Sequence, residues 1–262
     1  MKNVASKIIW IVALIVLIAL IGTLGYGYYK KATFKSQNPV VTMEVENFGT
    51  IKMELYPEQA PETVANFITL ANRGFYNGLT FHRIVKDFMI QGGDKEGTGQ
   101  GSATLADLKD GGDSNTNYSI KGEFVSNGVN NTLKFNEGVV GMARNDYTKY
   151  SSSLKEESYN SGSSQFFIMT KANTSLNGYY TAFGKVIEGM DVVHKIENVE
   201  VKAADKASTS SSDSSNSNTE VSTPVETVKI SSVTVDTQGV DYGLPNTLTP
   251  FDYMSWIYKQ YG

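Results

Sequence analysis

Between Lys7 and Lys30 lies a run of 22 residues without a charge, IIWIVALIVLIALIGTLGYGYY. As a helix rising about 1.5 Å per residue it would reach roughly 33 Å, enough for a hydrocarbon core of about 30 Å. A buried core helix usually keeps a polar face, and this run has none. A cleavable signal peptide is the competing reading, because its apolar region is typically about 7–15 residues long. The run is longer than that and shows no clear A-x-A site, although Gly25 and Gly27 supply small residues. Residues 1–31 are therefore expected to form an N-terminal transmembrane anchor or signal segment, followed by a polar linker at 32–38. Lysines flank both ends, so the positive-inside rule leaves the orientation open. An N-in arrangement would export the rest of the chain, which places it outside the cytoplasm at a bacterial cell membrane, or secreted after cleavage.

Charge and side-chain inventory narrow the chemistry. Residues 1–35 carry five lysines and no acid, so the rest holds 18 basic residues against all 27 acidic ones, a formal charge of about −9. A nucleic-acid partner would call for a basic face, and none is expected here. The chain has no cysteine, which removes disulfides, thiol nucleophiles and a lipoprotein anchor. Its only histidines are His82 and His194, too few for a multi-histidine zinc site. Neither metal nor cofactor is expected.

With 24 Gly, 15 Tyr and 12 Phe among many short apolar runs, the chain reads as mainly β. Val41, Met43 and Val45, then Ile51, Met53 and Leu55, alternate around Asn47-Phe-Gly49 and predict a hairpin. In APETVANFITLANRG, Pro61 and Glu62 suit the start of a helix, Val64, Phe67, Ile68 and Leu70 share a face, and Gly74 ends it. FHRIVKDFMIQGGD (81–94) then reads as a buried strand, except that it carries Arg83, and arginine is rarely fully buried without a partner. Strands are also expected at 137–144, 164–170, 179–186 and 228–236, the last returning to the same sheet. An amphipathic helix, GMDVVHKIENV, places Met190, Val193 and Ile196 on one face and His194 at the surface or helix end.

Two motifs resemble ligand loops weakly. GDKEGTGQGS (93–102) has phosphate-loop glycines but lacks the GK[ST] ending and a following helix, so it is read as a plain loop. DSNTNYSIKGEF (113–124) imitates a calcium loop, but Tyr118 stands where glycine is needed and Glu123 falls one position early. Residues 203–227, rich in serine and nearly free of apolar side chains, are expected to be a disordered insert. In the extension at 239–262, Thr249, Pro250 and Asp252 would start a short aromatic helix that packs back onto the domain, with a partner or membrane surface as the alternative.

FHRIVKDFMIQGGD resembles the signature of the cyclophilin family of peptidyl-prolyl cis-trans isomerases. The resemblance continues through GTGQG (97–101), GVVGMAR (138–144), GSSQFFI (162–168) and LNGYYTAFGKVIEGMDVV (176–193). It covers roughly 39–202 and 228–238, so residues 39–238 are expected to be the isomerase domain, with 203–227 inserted. It implies a closed, eight-stranded antiparallel β-barrel covered by two helices. It implies catalysis by Arg83 and Gln91, with Gln91 helping to orient Arg83 and contacting substrate, and an apolar pocket of Phe88, Met89, Phe167 and Leu176 for the proline ring. Gln165, Ala143 and the backbone of Arg144 would hold the neighbouring peptide. Tyr180 stands where many members carry His, and His82 is implied to be a structural hydrogen-bonding residue. The implied partners are proline-containing polypeptides, here exported ones. Ser175 lies where cyclosporin-sensitive members have Trp, which implies weak cyclosporin binding; a tight complex by calorimetry would contradict that. The segment 145–161 is longer than usual and is expected to border the groove and tune which substrates enter. A tethered, non-catalytic binder of proline segments is the alternative within the same fold. A surface adhesin has no positive feature beyond the anchor.

Overall fold

The uncharged run forms α1 (Lys2–Thr33). The computed structural model describes the backbone of residues 2–33, 38–203 and 221–261, and the side chains of 10–25, 38–203 and 222–260. The chain divides into two units, Met1–Gln37 and Asn38–Gly262. In the first, the side chains at 10–25 are all exposed. Among the described residues no helix is long and apolar enough to cross a membrane, so the transmembrane helix expected from the sequence is not found there.

The second unit opens with the expected hairpin, β1 (Val40–Val45) and β2 (Gly49–Leu55), in which every second residue is buried. Asn47 and Gly49 supply the positive φ angles of its turn, +65° and +122°. Helix α2 (Pro61–Asn72) follows, with Pro61 in its first turn, where a missing N–H costs nothing. Gly74 (φ +73°) closes it: its N–H donates to Ala71 O and that of Phe75 to Leu70 O.

The stretch FHRIVKDFMIQGGD is not one strand. It folds as a tight hairpin, β3 (Arg83–Val85) and β4 (Met89–Gly92), reversing at Lys86–Phe88. The polar pair Lys86-Asp87 breaks the apolar run, and Asp87 takes the left-handed conformation, φ +55°, that short polar residues tolerate. A single turn α3 (Leu105–Leu108), β5 (Ser119–Ile120), β6 (Val139–Met142), a short α4 (Lys155–Tyr159), β7 (Phe166–Met169), β8 (Ala182–Glu188) and α5 (Met190–Glu197) follow.

The low-complexity segment is ordered at both described ends. β9 (Val201–Ala203) pairs antiparallel with β10 (Val221–Pro224), so the expectation of disorder fails there: Ser222 is buried and the Val225 N–H donates to Glu200 O, which ties this end of the segment to the domain. Residues 204–220 lie outside the described residues. β11 (Ile230–Asp236) returns to pair with β1, as expected. In the extension, β12 (Thr247–Leu248) pairs with β5, and α6 (Tyr253–Tyr261) begins later than Thr249 would set it. Asp252 is the capping group, its carboxylate accepting from the backbone N–H and the hydroxyl of Ser255.

Eight strands form one antiparallel sheet in the order β11-β1-β2-β8-β6-β7-β4-β3. Its inner face buries Met43, Ile51, Ile84, Ile90, Val140, Phe166 and Phe183, against which α2 packs Val64 and Phe67 and α5 packs Val193 and Ile196. The sheet is a curled half-barrel, not the closed barrel expected. β3 and β11 form no ladder, because β3 is three residues long and the chain before it meets the other edge only briefly. Thr80 alone bridges both sides, pairing with Asp94 and with Lys229, and the Gly78 and Phe81 N–H groups donate to Ile230 O and Val228 O.

Candidate active site

Side chains alternate between the two faces of a strand, so burial of Ile84, Ile90, Val140 and Ile168 in the core sends their neighbours to the outer face. The register lines them up. Arg83 lies opposite Gln91, Gln91 opposite Phe167, and Phe167 opposite Gly141, one row across four strands. The neighbouring row adds Met89 opposite Met169. These residues stand on a second, smaller core of Met89, Phe135, Val139, Phe167, Met169 and Ala182, against which Phe88, Ala143, Leu176 and Tyr180 pack half-buried.

The result is a cleft of about 210 Å³ that holds Arg83 and Gln91 with Phe88, Met89, Ala143, Arg144, Phe167, Leu176 and Tyr180. Its aromatic wall is ordered by geometry: Phe167 stacks on Phe135 at 5.7 Å and meets the Tyr180 ring edge-on at 6.0 Å. Arg83 is held at the lip. Its Nη1 donates to Gln91 Oε1 at 3.2 Å and lies 3.6 Å from Met89 Sδ. Gln91 Nε2 then donates to Gln165 Oε1 at 2.9 Å, and Gln165 Nε2 donates to Gly101 O at 2.8 Å and Gly99 O at 3.1 Å. A guanidinium is thus positioned by a relay of two amides ending on the glycine loop.

Of the residues singled out from the sequence, nine share this cleft. Gln165 stands behind it in the relay, and His82 does not line it. His82 is 8% exposed. Its ring nitrogens lie near Thr80 and Gln165, but neither makes a hydrogen bond of good geometry. Burial holds the imidazole below its ordinary pKa, with Asp94 opposing and Arg83 adding to the effect.

Other contributors were not anticipated. Gly141 faces Phe167, where a Cβ would collide with the Phe167 and Phe135 rings, so its missing side chain makes room for the aromatic floor. Asp94 accepts the N–H groups of Glu96, Thr98 and Gly99 and so shapes the loop on which the relay ends. The glycine-rich loop is therefore a scaffold, its carbonyls accepting from Gln165. Glu123, from the calcium-like segment, caps α2: its carboxylate accepts from Glu62 N, Thr63 N and Thr63 Oγ1. For the loop, the sequence signal was the density of Gly in 92–101 around Asp94, a residue type that favours Asx-type turns.

An arginine-lipped apolar cleft thus lies on the outer face of a helix-covered β half-barrel, and comparison with known proteins gives the family. The pattern of the family "Cyclophilin type peptidyl-prolyl cis-trans isomerase/CLD" matches residues 40–235. Peptidyl-prolyl cis-trans isomerase-like 2 of Rhizopus delemar is 36% identical over 68% of this chain, a match that takes in only 28% of that longer protein. Peptidyl-prolyl cis-trans isomerase-like 1 of Mus musculus is 37% identical over 65% of this chain and 86% of its own length. A solved structure of a Cryptosporidium parvum cyclophilin type peptidyl-prolyl cis-trans isomerase, in the presence of the dipeptide Ala-Pro, superposes with a TM-score of 0.56 at 27% identity, covering 75% of this chain and 98% of that one. The chain belongs to the cyclophilin-type peptidyl-prolyl cis-trans isomerases, and its enzyme class is that of the family.

Proposed function

We propose that the cleft binds the proline of an X–Pro segment and that Arg83 stabilises the twisted amide. An X–Pro bond interconverts over tens to hundreds of seconds, because amide resonance sets a barrier near 18–20 kcal/mol. No bond need break; the enzyme has only to bind the twisted state more tightly than either planar one. In the twisted state the prolyl nitrogen loses conjugation and gains a lone pair. An arginine, always charged and rich in fixed donors, suits that lone pair. Phe88, Met89, Phe167 and Leu176 grip the ring, while Gln91 and Gln165 keep the guanidinium in place. Ala143, the Arg144 backbone and Tyr180 border the peptide on either side.

The single observation that carries this reading is the Arg83–Gln91–Gln165 relay at the edge of an apolar pocket. The Ala-Pro dipeptide used with the Cryptosporidium relative supports proline-containing peptides as the substrate class. The test is a protease-coupled isomerase assay on the full chain. Arg83→Ala should cost roughly 10²–10³-fold in kcat/KM, the usual effect of removing a donor aimed at developing charge. A loss within a few-fold would refute the assignment.

We further propose that the enzyme is tethered to a membrane through α1 and assists the folding of exported chains. The exposed side chains at 10–25 include Trp10, Ile15, Leu17 and Ile21, more contiguous apolar surface than a water-facing helix carries. Partition into the carbonate-washed membrane fraction tests this; recovery in the soluble fraction would contradict it.

A further inference from the structure

A second cleft of about 240 Å³ adjoins the proline cleft, and Gln91, Ala143 and Arg144 line both. Its other walls come from the glycine loop at 99–102, from Asn145 and Tyr147 of the 145–161 excursion, and from Pro250 and Phe251 of the C-terminal extension. The extension is anchored there. Glu62 accepts the backbone N–H and the side-chain amide of Asn246 at 2.6 and 2.7 Å, β12 pairs with β5, and Phe251 meets the Tyr147 ring at 5.0 Å.

The charge in this cleft is one-sided. Neither lining contains an Asp or Glu, and Arg144 is the cation they share. Arg144 is also held ready: Nε donates to Tyr179 O and Nη1 to Asn145 O, both at 3.1 Å, while its Cζ lies 4.4 Å from the Tyr180 ring centroid and 5.2 Å from that of Tyr159. Two of five N–H donors are used, and the planar fork left over matches a carboxylate. Lys155 lies over the same Tyr159 ring at 5.4 Å, adding positive charge nearby. Glu156 and Glu157 belong to α4 and line neither cleft.

We infer that the second cleft is a specificity subsite for an acidic side chain flanking the X–Pro bond, with Arg144 as its anion-binding residue and Phe251 and Tyr147 as the wall that excludes water. The inference rests on the isomerase reading and names its preferred substrate class: proline segments carrying Asp or Glu within two residues of the proline. A carboxylate in a walled cleft feels Arg144 through a lower effective dielectric than it would on open surface.

The test uses the full chain in neutral detergent and peptides identical except for Glu or Gln at one position near the proline. Both Kd, by NMR titration, and kcat/KM are measured. At one position the Glu peptide should be preferred by about fivefold, the scale of a partly exposed ion pair. The preference should weaken only partly at about 1 M salt, because a pair walled off from water is screened less than one on open surface. Arg144→Gln should abolish it, and Phe251→Ala should reduce it by admitting water. Equal affinities at every position, or a preference that survives Arg144→Gln, would overturn the inference. If neither peptide is turned over, the isomerase reading fails, while the Kd ratio still decides the subsite.

Discussion

The two clefts share three residues and are built on opposite principles. The proline cleft is carried by strands: parity and register set Arg83, Gln91, Phe167 and Gly141 in one row, and each is fixed by backbone ladders. The second cleft is carried by loops and a tail, held by aromatic contacts and a few side-chain hydrogen bonds. The first should therefore fail through global stability and the second through local opening. A sheet row cannot shift without breaking its neighbours, whereas a loop wall can part from its partner alone.

The largest expected effect that separates them is at Gly141. Replacing it with Ala forces Phe167 and Phe135 aside, an overpacking that typically costs about 1–3 kcal/mol. Urea unfolding should move by that amount, and proline-peptide affinity should fall with it. Unchanged stability would mean that the floor is less tightly built than the row implies. A smaller effect is expected at Tyr150, whose ring stacks on Tyr253 at 4.2 Å. Tyr150→Ala should cost about 0.5–1.5 kcal/mol, seen as faster hydrogen exchange in 147–159 and in the tail, with the sheet amides unmoved. Acceleration spreading to β4 and β7 would erase the distinction between the clefts.

The smallest effect is electrostatic. Glu197 bonds His194 Nδ1 at 2.5 Å and accepts the N–H of Asp87 at 3.2 Å, so it ties α5 to the turn that carries Phe88; Glu137 bonds the other His194 nitrogen at 2.6 Å. The bond to Glu197, then that to Glu137, raises the His194 pKa above its ordinary value, with desolvation opposing. Protonated His194 is thus favoured by folding. Its stabilisation is fully present below about pH 6.5, the unfolded value, and is lost as pH rises through the higher folded value. Because the site is substantially exposed, the contribution should be under about 1 kcal/mol. Urea midpoints at about pH 6 and pH 9 should differ by that increment in the wild type and lose it in His194→Gln. An unaltered difference in the variant would assign the effect elsewhere.

The contrast between the clefts also explains what could be read in advance. Alternation marked β1, β2 and β11, and helix punctuation at Pro61 and Gly74 marked α2, because those signals are local. The residues of the proline cleft were legible through motifs written on strands. The hairpin inside FHRIVKDFMIQGGD was not, because an apolar run interrupted by Lys86-Asp87 looks much like a continuous strand with a charged face. Nor was the gap between β3 and β11, which depends on how far two distant edges run beside each other. Gly141 needed the register with Phe167, and Phe251 needed the tail to cross from β12 to the excursion. Both are long-range facts with no local signature.

Arg83, held by Gln91 and Gln165, is proposed to lower the barrier to X–Pro rotation. Exchange NMR on a proline peptide bound to the full chain separates binding from interconversion. Wild type should give rapid cis–trans exchange peaks, and Arg83→Ala should lose them while peptide affinity stays within a few-fold. Exchange at the wild-type rate in a properly folded Arg83→Ala enzyme would contradict it.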